Sequence, residues 1–245
     1  MFESNLSSNA RFGLVLGGTP WLAAHMQSTL DKTIVVDISP EMLETAKKQV
    51  GAQNNADPRK IDFLCANWLS LPDLGRPVDV VAGDNCLTFI TYPGGWRHLF
   101  EALRTKMNAG SQYILRVAAV PDSHRPLSIG DIVAKYSDSE SLNFTEVRAQ
   151  LLFSYWNPKL KAIDTEEVVK MFEAHVSEFQ AILKRGGEKN DLAAIRKFRN
   201  TGFVLFAPRL NEMLSFLEEY LAIEDVSYGD YGMAEYFPLI VARAR

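Results

Sequence analysis

TIVVDISPEM, residues 33–42, decides how this chain is read. Four β-favouring residues run into Asp37, and Ser39-Pro40 then opens a helix, with the serine as N-cap and the proline at the first position, where its missing N–H costs nothing. Working back, RFGLVLGGTPWLA (residues 11–23) carries an apolar run that ends in Gly17-Gly18, and Asp37 lies 20 positions after Gly17. A glycine turn after one strand and a carboxylate after the next can grip two ends of one nucleoside, so the pair predicts a doubly wound sheet built around such a ligand.

Outward from there, apolar runs at 12–16, 33–36, 61–65, 78–82 and 113–117 predict five strands, separated by helical patterns at 20–31, 40–51 and 95–108. Strands alternating with helices imply right-handed crossovers and a mostly parallel sheet covered on both faces. After Val117 the rhythm breaks. Helical patterns at 128–137, 141–156, 164–185 and 190–199 follow, with Asp164 and Glu167 as a capping pair for the third and Gly186-Gly187 as its stop. A helix at 208–221 and strands at 223–229 and 237–244 then resume the alternation. The expected organisation is an α/β core of 1–119 and 206–245, interrupted after the fifth strand by a helical insertion, 120–205, too long to be a passive loop.

The composition excludes several classes. Lys and Arg number 26 against 30 Asp and Glu, for a net charge of −4 and a pI near 5.6. That argues against a general electrostatic grip on nucleic acid or an anionic membrane and favours a small-molecule partner. The opening MFESNLSSNA is no secretory signal, and no apolar run approaches the ~20 residues of a membrane span, so a soluble, cytoplasmic protein is expected. Only Cys65 and Cys86 occur, without a CxxC or Cys/His cluster. Buried reduced thiols and no metal site are the expectation.

In open α/β sheets, ligands bind beyond the carboxyl ends of the strands, and four motifs fall there. Gly17-Gly18-Thr19 lets backbone amides approach a ligand, or is simply a tight turn. Asp37 suits two ribose hydroxyls, or is a helix N-terminal charge. Asn67-Trp68 offers an amide to a base edge and an apolar wall, or is a capped turn over the core. Gly83-Asp84-Asn85 would face the reacting end of the ligand, or is an ordinary Asp/Asn turn. Arg116, a charge inside a strand, needs a partner, either Asp84 or an acidic acceptor.

Taken as an ordered set, LVLGGTPWLA, VVDISPEMLETAKK, ANWLSLP, VDVVAGDNCLTF and the helix and strand across 95–117 resemble class I S-adenosylmethionine-dependent methyltransferases. Thr-Pro after the glycines, the GDN motif and Arg116 are similar to a bacterial group of that family. The resemblance covers about 11–118 and resumes at the last two strands. It implies a Rossmann-like sheet of seven strands with the last antiparallel, S-adenosyl-L-methionine as cofactor and S-adenosyl-L-homocysteine as product. By position, Gly17, Gly18, Thr19 and Pro20 would line the methionine part, Asp37 the ribose, Ile38 and Met42 the adenine flank, Asn67 and Trp68 the base, and Gly83 and Asp84 the sulfonium. Three departures stand out: Val15 replaces an acidic residue, the Thr19–Trp21 stretch replaces a third glycine, and Asn67 replaces an aspartate.

Methyl transfer needs alignment and desolvation more than a fixed catalytic residue. If the acceptor must lose a proton, Asp84 or His124 would be the base, although His124, in VPDSHRP, reads better as a solvent-exposed loop histidine. The insertion, carrying Tyr136, Phe144, Phe153, Tyr155 and Trp156, would form a lid over the acceptor, or those rings are ordinary helix packing. Asn85, Arg116, His124, Tyr155 and Trp156 are the candidate acceptor contacts. Two other classes share parts of the pattern: a nicotinamide oxidoreductase, for which G-x-G-x-x-G is missing from Gly17 onward, and a non-catalytic cofactor binder.

Overall fold

In a computed structural model, which describes residues 5–52, 57–137, 142–186 and 191–245, seven strands form one sheet: β1 (Phe12–Leu16), β2 (Lys32–Asp37), β3 (Ile61–Cys65), β4 (Val78–Asp84), β5 (Met107–Arg116), β9 (Leu221–Ser227) and β10 (Leu239–Ala244). The order is β3-β2-β1-β4-β5-β10-β9. β10 alone runs against its neighbours, pairing antiparallel with β5 and β9. The fold is therefore the expected Rossmann-like one, with the last strand reversed.

Alternation along the strands covers both faces. Phe12, Leu14 and Leu16 point into a cluster with Trp96, Leu99 and Phe100 of α3 (Gly94–Arg104) and Met213 and Phe216 of α8 (Leu210–Glu218). Val15, Val35 and Val80 point the other way, against Leu22 and Met26 of α1 (Pro20–Thr29) and Leu43 and Val50 of α2 (Pro40–Gly51). The Ser39 cap forms, its Oγ accepting the Met42 amide at 3.2 Å. The chain lays β2 and β3 on one side of β1 and returns to place β4 on the other. The switch point between β1 and β4 thus brings Leu16 beside Gly83, with Asp84 beside Arg116 in the next pair.

Between β5 and α8 lies a second apolar cluster built on Ile132 of α4 (Ile129–Ser137), Val147 and Leu151 of α5 (Phe144–Ser154), and Phe172 of α6 (Thr165–Ala174). The region departs from an all-helical reading in three ways. It contains a three-stranded antiparallel sheet of β6 (Trp156–Asn157), β7 (Ala162–Asp164) and β8 (Val204–Phe206). Strands of two or three residues leave no period-2 signal, and the β7–β8 pairing spans some 40 positions. The helix read over 164–185 is two, α6 and α7 (Gln180–Gly186). Phe172 and Phe179 meet at 5.4 Å, whereas seven residues of straight helix would hold them about 10 Å apart. Asp191–Phe198 winds as a 3-10 helix. Position 141, where the second helical pattern began, Gly187 of the Gly-Gly stop and the first four residues of the opening segment lie outside the described residues.

The two cysteines also split. Cys86 is buried as expected, but Cys65 is exposed, because it ends β3, the edge strand of the sheet. Among the described residues no helix is long and apolar enough to cross a membrane.

Candidate active site

The glycine turn and the β2 carboxylate form one structure. Gly17 adopts φ +97°, open to a residue without Cβ, and its amide donates to the Val36 carbonyl at 2.8 Å. The chain then bends back, Thr19 N–H donating to the Gly17 carbonyl at 2.8 Å, and α1 begins. The Asp37 carboxylate accepts the Gly18 amide at 3.0 Å through one oxygen and the Ser39 amide at 2.9 Å through the other. Each oxygen keeps a lone pair for a further donor. Trp68 lies beneath the turn: its indole donates to the Val36 carbonyl at 2.7 Å, and its ring is 3.6 Å from where a Gly17 Cβ would stand. Asn67 caps the short helix after β3, accepting the Leu69 amide at 2.9 Å. Around this cradle stand apolar side chains in water, Ile38 at 67 % exposure and Met42 at 49 %, a surface a flat base can cover.

One strand over, Arg116 grips Asp84 through a two-pronged bond, Nε at 2.6 Å and a terminal nitrogen at 2.7 Å. Burial alone would lower the Arg116 pKa, but the bonds and charge of Asp84 outweigh it and hold the guanidinium above its ordinary value. Asn85 follows in the left-handed conformation at φ +55°, its amide donating to the Arg116 carbonyl at 2.8 Å. Burial, reinforced by Asp84, pushes the Cys86 thiol up to about 12, so it stays protonated and is no nucleophile.

Beside this pair opens a pocket of about 410 Å3. It is lined by Asn85, Thr88, Phe89 and Arg116, by Arg148, Leu152 and Phe153 of α5, and by Phe198, Tyr231 and Phe237. Within it, Asn85 Oδ1 and Thr88 Oγ1 are buried without a hydrogen-bond partner.

Residues 15–110 match the family model described as "Methyltransferase domain". The match implies S-adenosyl-L-methionine as cofactor, and it spans both the glycine cradle and the GDN turn. The fold is similar to that of a SAM-dependent methyltransferase from Methanosarcina mazei, at 12 % identity over 99 % of this chain and 96 % of that one, with a TM-score of 0.60. It is also similar to the N-methyltransferase NodS from Bradyrhizobium japonicum WM9, in complex with S-adenosyl-L-homocysteine, at 12 % identity over 99 % of this chain and 83 % of that one, with a TM-score of 0.53. At these identities the likeness is one of fold. No curated protein matches the chain.

The structure sorts the candidate residues. Gly17, Gly18, Thr19, Asp37, Ile38 and Met42 share one cradle at the ends of β1 and β2, with Trp68 beneath it on the Val36 carbonyl and Asn67 capping the turn that carries Trp68. Asn85, Arg116 and Phe153 line the pocket. His124, Tyr155 and Trp156 are not among its lining residues. The exposed-loop reading of His124 is overturned: the ring is buried, with Nδ1 2.8 Å from the Tyr236 hydroxyl and Trp156 edge-on at 6.0 Å. Burial first, then the charges of Arg209 and Arg125, hold its pKa below the ordinary 6.5. Trp156 donates its indole N–H to the Ala207 carbonyl at 2.8 Å under the Arg209 guanidinium.

Sequence reasoning passed over Thr88, Arg148, Phe198, Tyr231 and Phe237. One signal was available for the last two. The link between β9 and β10, YGDYGMAEYFP, is far longer than a hairpin needs and dense in rings and glycines.

Proposed function

We propose that this chain is an S-adenosylmethionine-dependent methyltransferase acting on a small-molecule acceptor held in the pocket beside Asn85 and Arg116. Residues 1–119 and 206–245 would be its catalytic core and 120–205, with the β9–β10 link, the cover over the acceptor. The observation that carries this reading is the bond between Asp37 and Gly18, which joins the carboxylate and the glycine turn into one cradle two strands from a half-open pocket.

The residues fit the cofactor. Gly17 leaves the approach to the turn clear of a side chain, Asp37 has lone pairs for both ribose hydroxyls, and Ile38 and Met42 offer apolar surface to the base. Bound there, S-adenosylmethionine supplies an activated methyl group on a sulfonium. The protein contributes alignment and exclusion of water. Asp84, with both oxygens engaged by Arg116, serves as a fixed negative group near the cationic centre and not as a mobile base. His124, buried against Tyr236, ties the two parts of the cover, the insertion and the β9–β10 link, to each other. The net charge of −4 favours a small acceptor over nucleic acid.

Calorimetry with S-adenosylmethionine, S-adenosylhomocysteine and NAD tests the cofactor. Saturable binding of the two sulfur nucleosides is expected, and saturable NAD binding without them overturns the reading. Release of S-adenosylhomocysteine across a metabolite panel then tests turnover.

A further inference from the structure

We infer that the pocket takes an uncharged aromatic molecule of one or two rings whose hydroxyl or amine is held by Asn85 and Thr88. The ligand class rests on the pocket alone; that the hydroxyl or amine is the methyl acceptor rests on the methyltransferase reading. On that reading the oxygen or nitrogen lone pair forms the bond to the methyl carbon, the carbon–sulfur bond breaks with its electron pair left on sulfur, and the proton lost from the group passes to water.

Three observations converge. First, one turn of the core carries two unmet polar atoms. Asn85 and Thr88 both line the pocket, the Thr88 amide donates to the Asn85 carbonyl at 3.3 Å, and Asn85 Oδ1 and Thr88 Oγ1 are buried without a partner. A buried polar atom is costly to leave unmet. The left-handed backbone at Asn85, tied to the Arg116 carbonyl, fixes the position from which that amide projects. Threonine populates two χ1 wells in a helical turn, so Thr88 can turn its hydroxyl to a guest without moving the backbone. The Asn85 oxygen only accepts, so the guest must bring a hydrogen; the Thr88 hydroxyl can then donate to the lone pair of the same group. Hydroxyls and amines meet both demands, whereas ethers, thioethers and carbonyls lack the hydrogen.

Second, four phenylalanines, Phe89, Phe153, Phe198 and Phe237, line the same space, and Phe153 and Phe237 meet edge to face at 5.7 Å. Rings set this way present faces and edges to a flat guest. About 410 Å3 is near the lower end of small-molecule pockets, enough for one or two fused rings. Third, the lining holds no charge that calls for an opposite one. Among the described residues no aspartate or glutamate lines the pocket, Arg116 is committed to Asp84, and Arg148 is not free. An ionised group on the guest would lose its water without gaining a free counter-ion.

The test uses the full chain saturated with S-adenosylhomocysteine, titrated calorimetrically with 2-naphthol and 5-aminoindane, and with three controls: 2-methoxynaphthalene, decahydro-2-naphthol and 6-hydroxy-2-naphthoate. At least one of the first two is expected to bind saturably. The methoxy and saturated compounds should each bind about tenfold more weakly than 2-naphthol, the scale of one lost buried hydrogen bond, and the added carboxylate should bring no gain. Asn85→Gly keeps the left-handed backbone and removes the acceptor, so it should abolish the preference for 2-naphthol over 2-methoxynaphthalene. Thr88→Val, nearly the same in shape, should weaken 2-naphthol several-fold, and circular dichroism checks that each variant is folded. The ligand class is overturned, and the methyltransferase reading left standing, by any of three results in a chain that binds S-adenosylhomocysteine: a methoxy or saturated control as tight as 2-naphthol, a carboxylate that tightens binding about tenfold, or no binding of either 2-naphthol or 5-aminoindane. Binding of 2-naphthol with these preferences by a chain that does not bind S-adenosylhomocysteine upholds the class and overturns that reading.

Discussion

Asp37 and Gly18, 19 residues apart in the chain, are joined by a 3.0 Å hydrogen bond across the ends of two neighbouring strands. The bond makes a loop turn and a strand-end carboxylate into a single rigid part, with the second carboxylate oxygen anchored at the start of α2. Two alternatives for Asp37, ribose ligand and helix-end charge, are therefore compatible in one geometry.

Asp37→Ala removes the acceptor for both amides and, on the proposed function, the carboxylate that would meet the ribose. Binding of S-adenosylhomocysteine should weaken by about 1–3 kcal/mol, the scale of charge-assisted bonds. Titration calorimetry on the folded variant measures it; unchanged affinity would leave Asp37 with a structural role only.

Arg116→Met leaves Asp84, 10 % exposed, as an uncompensated carboxylate while keeping the aliphatic stem. Breaking such a pair should cost about 2–3 kcal/mol, below the fully buried range because Arg116 itself retains 30 % exposure. Urea unfolding reads this directly. Changing both partners, to Asp84→Asn with Arg116→Met, should recover part of the loss.

Gly83 in β4 has no room for a methyl group. A Cβ there would stand 2.5 Å from the Cys86 sulfur and 3.3 Å from a Leu115 methyl. Gly83→Ala should destabilise by about 1–3 kcal/mol. Paired with Cys86→Ala, which takes the sulfur away, its cost should shrink, with a coupling of at least about 0.5 kcal/mol in a double-mutant cycle.

His124 sets a pH dependence. Its folded pKa lies below the ordinary 6.5, so between those two values the unfolded chain binds a proton that the folded one does not. Its contribution to stability is complete above 6.5 and is lost as pH falls through the folded value. His124→Asn should flatten the decline of the urea midpoint below pH 6.5; an unaltered decline would assign it to other groups.

The sequence alone determined the sheet, its strand-end motifs and the caps of α2 and α6, because these rest on short-range physics: period-2 and period-3.6 burial, the position of Pro40, and carboxylates or hydroxyls two or three residues before the amides they accept. It also narrowed the partner of Arg116 to Asp84 or an acidic ligand. Only the tertiary structure decided between them, since the choice depends on which strands lie side by side at the switch point. The same holds for the burial of His124, the small sheet joining Ala162–Asp164 to Val204–Phe206, and the meeting of Asn85, Arg148 and Tyr231 around one pocket. Each depends on residues tens of positions apart being packed together, and long-range packing leaves no period in the chain.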